Sequence, residues 1–185
     1  KRFFDMRYLI ASDLHGARGP LEEILRFYDA GHYDQLLLLG DILYYGPRNS
    51  VPEGMNAPRV VELLNAHAGE IIAVRGNCDA EVDQMVLHFD IMATYAILAD
   101  GGHRYFLTHG HHYHAGALPH GRYDAIIHGH THLQGFTQAT DGTLVVNPGS
   151  PTFPKGGNPP TFATLCDGTF SIHHLSGSII SQWTL

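Results

Sequence analysis

Three short apolar segments in the first half of the chain each run directly into a polar group that contains metal-binding residue types. Residues 6–11 lead into Asp13-Leu14-His15, residues 35–39 into Gly40-Asp41, and residues 71–74 into Gly76-Asn77-Cys78-Asp79. Short apolar runs bounded by such groups are typical of buried strands. Because consecutive buried strands of this kind pair side by side in a sheet, the pattern limits the chain to a small set of folds.

The stretches between these strands carry apolar residues at helical spacing. In the first, Pro20 suits the first turn of a helix and Gly31 is expected to end it. In the second, Asn56 is a candidate helix cap. The apolar stripes are Leu21, Ile24, Leu25 and Tyr28, then Val60, Val61, Leu63 and Leu64. This βαβαβ order predicts parallel strands joined by right-handed crossovers.

The pattern changes in the second half of the chain, where short apolar runs are separated by turn signals. Residues 93–98 and 105–108 flank Asp100-Gly101-Gly102, a hairpin signal, and residues 125–127 form another short apolar run. Asp-Gly or Ser-Gly pairs at 141–142, 167–168 and 176–177 mark further turns, and residues 147–160 are expected to form a loop. We predict an α/β (α+β) fold in which two mixed β-sheets pack face to face and are flanked by helices.

Length and composition narrow the range of functions. With 185 residues, 44% of them hydrophobic, the chain is predicted to form a single domain over residues 6–185. Residues 1–5 precede Met6, the candidate natural start, and are interpreted as an artificial extension or a wrongly assigned start. A formal charge of -7 argues against general nucleic-acid binding, and no apolar run is long enough to predict a membrane span. Two cysteines without framework spacing favour a cytoplasmic protein.

Histidine is concentrated in one part of the sequence. The chain has 15 histidines, and a purification tag does not explain them, because such a tag is terminal and uninterrupted. Histidine is the commonest protein ligand of metal ions, so the cluster predicts a metal site. Nine of the histidines fall within 30 residues: His103, His109, His111, His112, His114, His120, His128, His130 and His132.

Polar groups at strand ends predict where this metal site lies. Side chains that leave the carboxyl ends of parallel strands converge on one crevice, so distant sequence positions can share a site. Carboxylates, an amide oxygen and several imidazoles suit borderline divalent ions such as Mn, Fe, Co, Ni or Zn, and the set is large enough for two ions. Two ions about 3.5–4 Å apart lower the pKa of a water between them and favour displacement at phosphorus. Any one of the groups alone is more simply a turn; their shared position after strands carries the prediction.

The order D-x-H, G-D, G-N-x-D, H-G-H, G-H-x-H resembles that of the calcineurin-like metallophosphoesterase superfamily. The stretch from Ala73 to Asp79, with Asn147-Pro148-Gly149-Ser150, is similar to its small bacterial branch of YfcE-type phosphodiesterases. The resemblance implies a metallophosphoesterase-like β-sandwich with a dinuclear metal site at the carboxyl ends of the strands. It also implies the ligands: Asp13, His15 and His132 for the first ion, Asp41 bridging both, and Asn77, His109 and His130 for the second.

The resemblance further implies that a hydroxide bridging the ions attacks phosphorus without a covalent enzyme intermediate. Most of the wider superfamily has histidine after the motif asparagine, at a position thought to contact substrate, where this chain has Cys78. A thiol is a weak donor and cannot act as an imidazolium. Cys78 is therefore predicted as a substrate-contact position, although the YfcE-like branch also tends to carry cysteine there. His111, His112 and His114 are extra to the family pattern, and His111 is the best placed to reach the site.

We therefore predict a metal-dependent phosphodiesterase with two divalent ions, Mn first and Zn, Fe, Ni or Co as alternatives, that acts on a small-molecule phosphodiester. A phosphomonoesterase or nucleotide phosphatase on the same site, a non-catalytic scaffold of the same fold and a metal-buffering protein are the rival hypotheses. Residues 109–114 nearly fit the H-x-H-x-D-H signature of metallo-β-lactamase-type hydrolases, but Tyr113 replaces its aspartate.

Arg48 and Lys155 are interpreted as solvated loop charges that could also pair with a substrate phosphate. Apolar, edge-prone strands in the C-terminal half make a homodimer plausible.

Overall fold

The computed structural model describes residues 6–185, so the prediction about residues 1–5 lies outside the described residues. Three helices and eleven strands form over this part of the chain. The helices are α1 (Arg18–Gly31), α2 (Ala57–Ala66) and α3 (Glu81–Gln84), with a 3-10 turn at Ala68–Glu70. The strands are β1 (Tyr8–Ala11), β2 (Gln35–Leu38), β3 (Ile71–Ala73), β4 (Tyr95–Asp100), β5 (His103–Thr108), β6 (Ala125–Ile127), β7 (Gly135–Gln138), β8 (Leu144–Asn147), β9 (Thr161–Cys166), β10 (Thr169–His174) and β11 (Ile179–Thr184).

The strands form two mixed sheets, which confirms the predicted architecture. The first sheet has the order β11-β10-β9-β1-β2-β3, and the second has the order β4-β5-β6-β8-β7. In the first, β1 pairs in parallel with β2, and β2 with β3, as the βαβαβ pattern predicts. In the second, the hairpin of β4 and β5 is followed by parallel pairs of β5 with β6 and β6 with β8. Each sheet therefore contains three neighbouring parallel strands, at one edge of the first sheet and in the middle of the second, and polar loops leave their carboxyl ends.

Side chains along the central strands point alternately to the two faces of the sheet, and this divides the core into two layers. Tyr8 and Ile10 of β1 pack with Leu107 and Ile127 of the second sheet, so this layer fills the space between the sheets. Leu9, on the opposite face of β1, packs against the helices. The outer layer buries the predicted helical stripes, which include Leu21, Ile24, Leu25, Tyr28, Val60 and Leu64. Helices α1 and α2 thus cover the outer face of the first sheet.

Helix α1 ends at Gly31, as predicted, although its cap is the next residue. Gly31 is still helical, and the residue in the left-handed conformation is His32, with φ 50°. The backbone N–H of His32 donates to the carbonyls of Asp29 and Tyr28, which closes the last turn. Pro20 is the third helical residue, where a missing N–H costs no intrahelical hydrogen bond. The predicted cap of α2 is confirmed, because the Asn56 side chain accepts a hydrogen bond from the Arg59 N–H.

The first strand is shorter than predicted. It begins at Tyr8 rather than Met6, because side-chain carboxylates bind the two preceding backbone N–H groups. Met6 N donates to Asp100 Oδ2 at 3.1 Å, and Arg7 N donates to Asp34 Oδ2 at 2.7 Å. None of the helices among the described residues has the length and apolar character that a membrane span requires.

Candidate metal centre

The two sheets contribute different candidate ligands to one place. Asp13 and His15 follow β1, Asp41 follows β2 and Asn77 follows β3, all at the carboxyl ends of the parallel strands of the first sheet. His109 follows β5, and His130 and His132 follow β6, at the matching edge of the second sheet. The His130 N–H donates to Asp13 Oδ2 at 2.9 Å, which ties the two sets together. The seven predicted residues therefore lie around one crevice where both sheets end.

Most of these candidate ligands have a backbone conformation, with positive φ, that L-residues rarely adopt. Among the described non-glycine residues with positive φ, only His32 and Asp167 are not predicted ligands. Left-handed backbone at a residue with a side chain is unfavourable and persists where surrounding structure enforces it, commonly at functional sites. The sharp turns direct the side chains back over the strand ends. The ligands concerned are Asp13 (φ 57°), His15 (φ 50°), Asp41 (φ 53°), His130 (φ 66°) and His132 (φ 60°).

Two glycines allow these turns to approach one another closely. A Cβ added at Gly129 would overlap the Ser12 hydroxyl and the Asp13 carboxylate. A Cβ added at Gly76 would overlap the side chain and backbone N of Asp41. Only glycine fits at these two positions, so Gly129 lets loops of the two sheets meet, and Gly76 lets the loops after β2 and β3 of the first sheet meet.

Three of the predicted histidines are oriented in the same way. Nδ1 of His15 lies 2.9 Å from the Tyr44 carbonyl, Nδ1 of His109 lies 2.7 Å from the Leu39 carbonyl, and Nδ1 of His132 lies 2.7 Å from the Phe153 carbonyl. A carbonyl oxygen can only accept, so each Nδ1 carries a proton, and each ring in its neutral form presents a lone pair on Nε2. A hydrogen bond from the second ring nitrogen to a carbonyl is the usual support of a metal-binding histidine.

The three Nε2 atoms face two buried carboxylates. Asp13 Oδ1 lies 3.2 Å from His132 Nε2, 3.8 Å from His15 Nε2 and 4.0 Å from His109 Nε2. Asp41 Oδ2 lies 3.5 Å from His109 Nε2 and 3.9 Å from His15 Nε2. The side chain of Asp13 is fully buried and that of Asp41 is nearly so. Because the two carboxylates share the rings of His15 and His109, they belong to one site rather than two.

Asn77 and His130 extend the set on the side of His109. His109 Nε2 lies 3.0 Å from Asn77 Oδ1 and 3.3 Å from His130 Nδ1. Donor atoms within 4.8 Å of one another form three groups: Asp13, His15 and His132; Asp13, Asp41 and His109; and His15, Asp41 and Cys78. The third group brings the thiol of Cys78 to the edge of the same site.

An observation that does not depend on any family resemblance indicates that these donor atoms suit divalent cations. Asp13 Oδ1 is buried and has no hydrogen-bond partner, although an unsatisfied buried carboxylate oxygen is costly. With Nδ1 protonated, His109 Nε2 and Asn77 Oδ1 are two electron-rich atoms facing each other at 3.0 Å. A cation between these atoms removes both problems, and mixed carboxylate, amide and imidazole ligands suit borderline divalent metals. The distribution of ligands between the ions stays a prediction.

Electrostatics of the metal-free site favour a charged Asp13. Burial alone would raise its pKa, but the adjacent His132 ring and the charges of His109 and His132 outweigh burial and lower the pKa to about 2. For His132, burial would lower the pKa, but Asp13 outweighs this effect and raises it. The carboxylate is therefore ionised at neutral pH and loses no proton when it binds a cation.

Asp79 supports the site, and sequence reasoning gave it no role. It is 2% exposed and accepts three backbone hydrogen bonds: Oδ2 from Asp41 N at 2.8 Å and Gly76 N at 2.7 Å, and Oδ1 from Ile42 N at 2.9 Å. One carboxylate thus clamps the turn of Asp41 to the turn of Asn77. The signal was present in the Gly76-Asn77-Cys78-Asp79 motif, since an aspartate two residues after a ligand asparagine is well placed to bind the loop backbone.

A cavity of about 290 Å³ opens over the candidate ligands, and we call it the central cavity. Its walls include His15, Asp41, Asn77, His130 and His132. Arg48 and Lys155 line it as well, and both are exposed. The sequence favoured solvated charges at these two positions, and the structure adds that both charges border the site. Two cations beside a metal-ligand set make the cavity suited to an anionic group.

His111 packs against the candidate ligands, whereas His114 lies elsewhere. The ring centroid of His111 is 5.3 Å from that of His109, 6.1 Å from that of His130 and 4.0 Å from that of His112. Burial, followed by the charge of His109, lowers the pKa of His111 to about 4. His114 pairs instead with Ala117 in its own loop. His111 is thus a neutral wall of the site at physiological pH.

We expect acidification to destabilise the metal-free protein through His111. Its pKa is about 4 in the folded state and 6.5 without perturbation, so between these values the unfolded chain binds a proton that the folded chain does not. The stability contributed by the neutral ring is present above pH 6.5 and is lost as the pH falls toward 4. His128, His130 and His173 also have lowered pKa values, and His132 opposes them.

The measurement is the melting temperature in excess chelator at pH 7 and pH 5. The wild-type protein should lose several degrees more than His111→Gln over this interval. Equal losses in the two proteins would show that His111 is protonated in the folded state.

The fold and the candidate site together define a metallophosphoesterase: two mixed sheets whose strand ends carry a candidate ligand set large enough for two ions. The family model of the calcineurin-like phosphoesterase superfamily domain matches residues 6–166. The chain therefore belongs to the calcineurin-like phosphoesterase superfamily, as the motifs predicted, and this family implies divalent metal ions.

Individual relatives refine this assignment. The chain is 42% identical to phosphodiesterase YfcE of Escherichia coli strain K12 over 179 residues, which are 96% of this chain and 97% of that protein. It is 27% identical to a phosphodiesterase of Methanocaldococcus jannaschii over 78% of this chain and 83% of that one. The solved structure of the phosphoesterase YfcE from E. coli has a TM-score of 0.93 and covers 97% of this chain and 99% of its own.

The same fold also occurs in a more distant protein. Vacuolar protein sorting 29 of Cryptosporidium parvum has a TM-score of 0.65 at 19% identity, covering 98% of this chain and all of its own. At this identity the likeness concerns the fold alone. The predictions of the fold class and of the resemblance to YfcE-type proteins are therefore confirmed.

Proposed function

We propose that this chain is a metal-dependent phosphodiesterase that hydrolyses a small-molecule phosphodiester in the central cavity. One observation carries the proposal: three histidines, each held by a backbone carbonyl, present Nε2 lone pairs to two buried carboxylates. The E. coli relative at 42% identity is named a phosphodiesterase, and this supports the same reaction class for this chain.

The chain's own residues would bind and orient the substrate. We propose Asp13, His15, Asp41, Asn77, His109, His130 and His132 as ligands of two divalent ions, with Mn²⁺ first among the candidates. When bound, such ions activate water and neutralise charge at phosphorus. Arg48 and Lys155 border the cavity on its exposed side and would stabilise negative charge on the departing oxygen. Asp79 and the carbonyls of Leu39, Tyr44 and Phe153 keep the ligands in place.

Two further expectations accompany this function. Both cysteines are free thiols, and this supports the cytoplasmic location predicted from the sequence. The edge strands β4 and β11 expose Tyr95, Ile97 and Ile179, so they are the surfaces that a homodimer would use.

The function is tested by hydrolysis of bis-p-nitrophenyl phosphate and p-nitrophenyl phosphate, with chelator-treated protein before and after addition of Mn²⁺. We expect turnover that depends on the metal and favours the diester. A preference for the monoester would indicate a phosphomonoesterase on the same site. Absence of turnover with every divalent metal, in a protein that still binds the metal, would support the scaffold hypothesis. Several ions bound without turnover would support metal buffering.

Cys78 is expected to contact the substrate region without acting as a nucleophile. Burial, followed by the charge of Asp41, raises the pKa of its thiol to about 12, so the thiol stays protonated at neutral pH. We expect Cys78→Ser to retain diester kcat within about threefold, because the smaller hydroxyl keeps a weak polar contact at the same place. Metal content measured on the same sample is the control. A large loss of bound metal would contradict the expectation and would identify the thiol as a ligand.

A further inference from the structure

A second cavity adjoins the candidate site, and we call it the side cavity. It has a volume of about 330 Å³ and shares Asn77 with the central cavity. Its walls include Arg75, Asn77, Met92, Thr94, His111 and His112. Asn77 is the only predicted ligand among the residues that line it. The side cavity is therefore not needed to hold ions, yet it opens beside a residue that would hold one.

The walls of the side cavity offer two imidazole rings and a thioether to a flat group. The rings of His111 and His112 lie 4.0 Å apart between centroids and are inclined at 43°. Met92 adds a partly buried thioether, which makes favourable contacts with aromatic rings. Arg75 is already engaged, because its Nε donates to the Asp79 carbonyl at 3.2 Å and its Nη2 lies 3.9 Å from Glu81. The side cavity thus offers an anion one cation, Arg75, whereas the central cavity offers Arg48 and Lys155.

Because the two cavities differ in charge, each of them suits a different ester group of a diester. In hydrolysis, a water oxygen forms a new bond to phosphorus, and the bond from phosphorus to the leaving oxygen breaks. The leaving oxygen gains negative charge, takes up a proton and departs as an alcohol or phenol. The ester oxygen that stays on phosphorus keeps its bond and does not gain a negative charge. The leaving group therefore benefits from Arg48 and Lys155 in the central cavity, whereas the retained group does not need a cation.

We propose that the side cavity binds the ester group that remains on phosphorus, and that this group is an aromatic or similarly flat ring. The proposal rests on the phosphodiesterase function proposed above and adds a substrate class to it. A diester with a ring on the retained oxygen fills both cavities across Asn77. A phosphomonoester has no such group and leaves the side cavity empty, so the side cavity supplies a structural basis for preferring diesters.

The test compares two diesters that differ only in the retained group. Bis-p-nitrophenyl phosphate and methyl p-nitrophenyl phosphate release the same p-nitrophenolate and carry the same charge. We expect Thr94→Trp, which fills the side cavity from an exposed position, to lower the kcat/KM ratio of the aryl to the methyl diester about tenfold, the size typical of a lost pocket contact. Thr140→Trp is the matched control on an exposed turn and should leave the ratio unchanged.

A second variant and a binding measurement make the test independent of folding and of turnover. His112→Ala removes one wall, and we expect it to lower the same ratio. In the wild type loaded with diamagnetic Zn²⁺, phenylphosphonate, which mimics the product, should show nuclear Overhauser contacts between its ring and the Met92 methyl group. Contacts to Tyr45 instead, or an unchanged ratio in both variants, would overturn the proposal. Failure of the proposed function is distinct, because the wild type would then hydrolyse neither diester with metal.

Discussion

Replacement of Asp41 by asparagine should lower kcat for diester hydrolysis by about three orders of magnitude, since loss of a metal ligand should exceed the 10–100-fold cost of losing its supporting partners. The substitution is nearly isosteric, and the amide oxygen can still accept the hydrogen bond from Cys78 N that Asp41 Oδ1 accepts at 2.8 Å. What disappears is the negative charge facing His15 and His109. We expect bound metal, measured by mass spectrometry, to fall by one ion or more per chain.

The melting temperature of the metal-free variant distinguishes loss of a metal ligand from unfolding of the protein. Asp41 is 3% exposed, and its charge lies close to those of Asp13 and Asp79 in the metal-free protein. Metal-free Asp41→Asn should therefore melt at or above the temperature of the metal-free wild type, because a neutral group is easier to bury than a charged one. Full diester activity in this variant, with unchanged metal content, would remove Asp41 from the ligand set.

Among the substitutions considered, replacement of Asp79 by alanine should lower the free energy of unfolding most. The change leaves the backbone N–H groups of Asp41, Ile42 and Gly76 without their acceptor inside the protein. Each unsatisfied buried donor costs about 1–3 kcal/mol, and some of this is recovered where water enters. We expect the free energy of unfolding of the metal-free protein to fall by about 3–5 kcal/mol, as measured by urea denaturation.

Two other variants make the Asp79 measurement specific. Asp79→Asn keeps one acceptor oxygen and should lie between the wild type and the alanine variant. Asp141→Ala removes an exposed carboxylate that accepts a single backbone hydrogen bond from Thr143 at 3.0 Å, and it should change stability little. If the alanine variants at 79 and 141 were equally stable, the clamp between the turns of Asp41 and Asn77 would contribute no stability.

The fold was predictable to the extent that it depends on local pattern. Polar groups after apolar runs placed Asp13, Asp41 and Asn77 at strand ends, and the rule that parallel strands end on one side brought them together. Glycine pairs located the hairpin between β4 and β5 correctly. The end of α1 at Gly31 was also predicted, although the left-handed residue that closes the helix is His32.

The support of the site was not predictable, because it depends on backbone atoms. The carbonyls of Leu39, Tyr44 and Phe153 orient three histidines, and every residue has a carbonyl, so sequence cannot single these out. The same holds for Arg48 and Lys155, whose charges are visible in the sequence although their place beside the cavity is not. Sequence thus identified the candidate ligands, whereas their orientation follows from tertiary structure.

The division of the candidate ligands between the two sheets makes metal uptake a late event in the synthesis of this protein. Asp13 and His130 are in hydrogen-bond contact, yet 117 positions separate them, so the chain must close a long loop before both can bind one site. A nascent chain that ends before His109 exposes only the oxygen-rich half of the site and one histidine of the set. Such a half-site binds borderline metals weakly, because binding is coupled to completion of the fold. We therefore expect metal binding to begin only once His109, His130 and His132 have joined the fold.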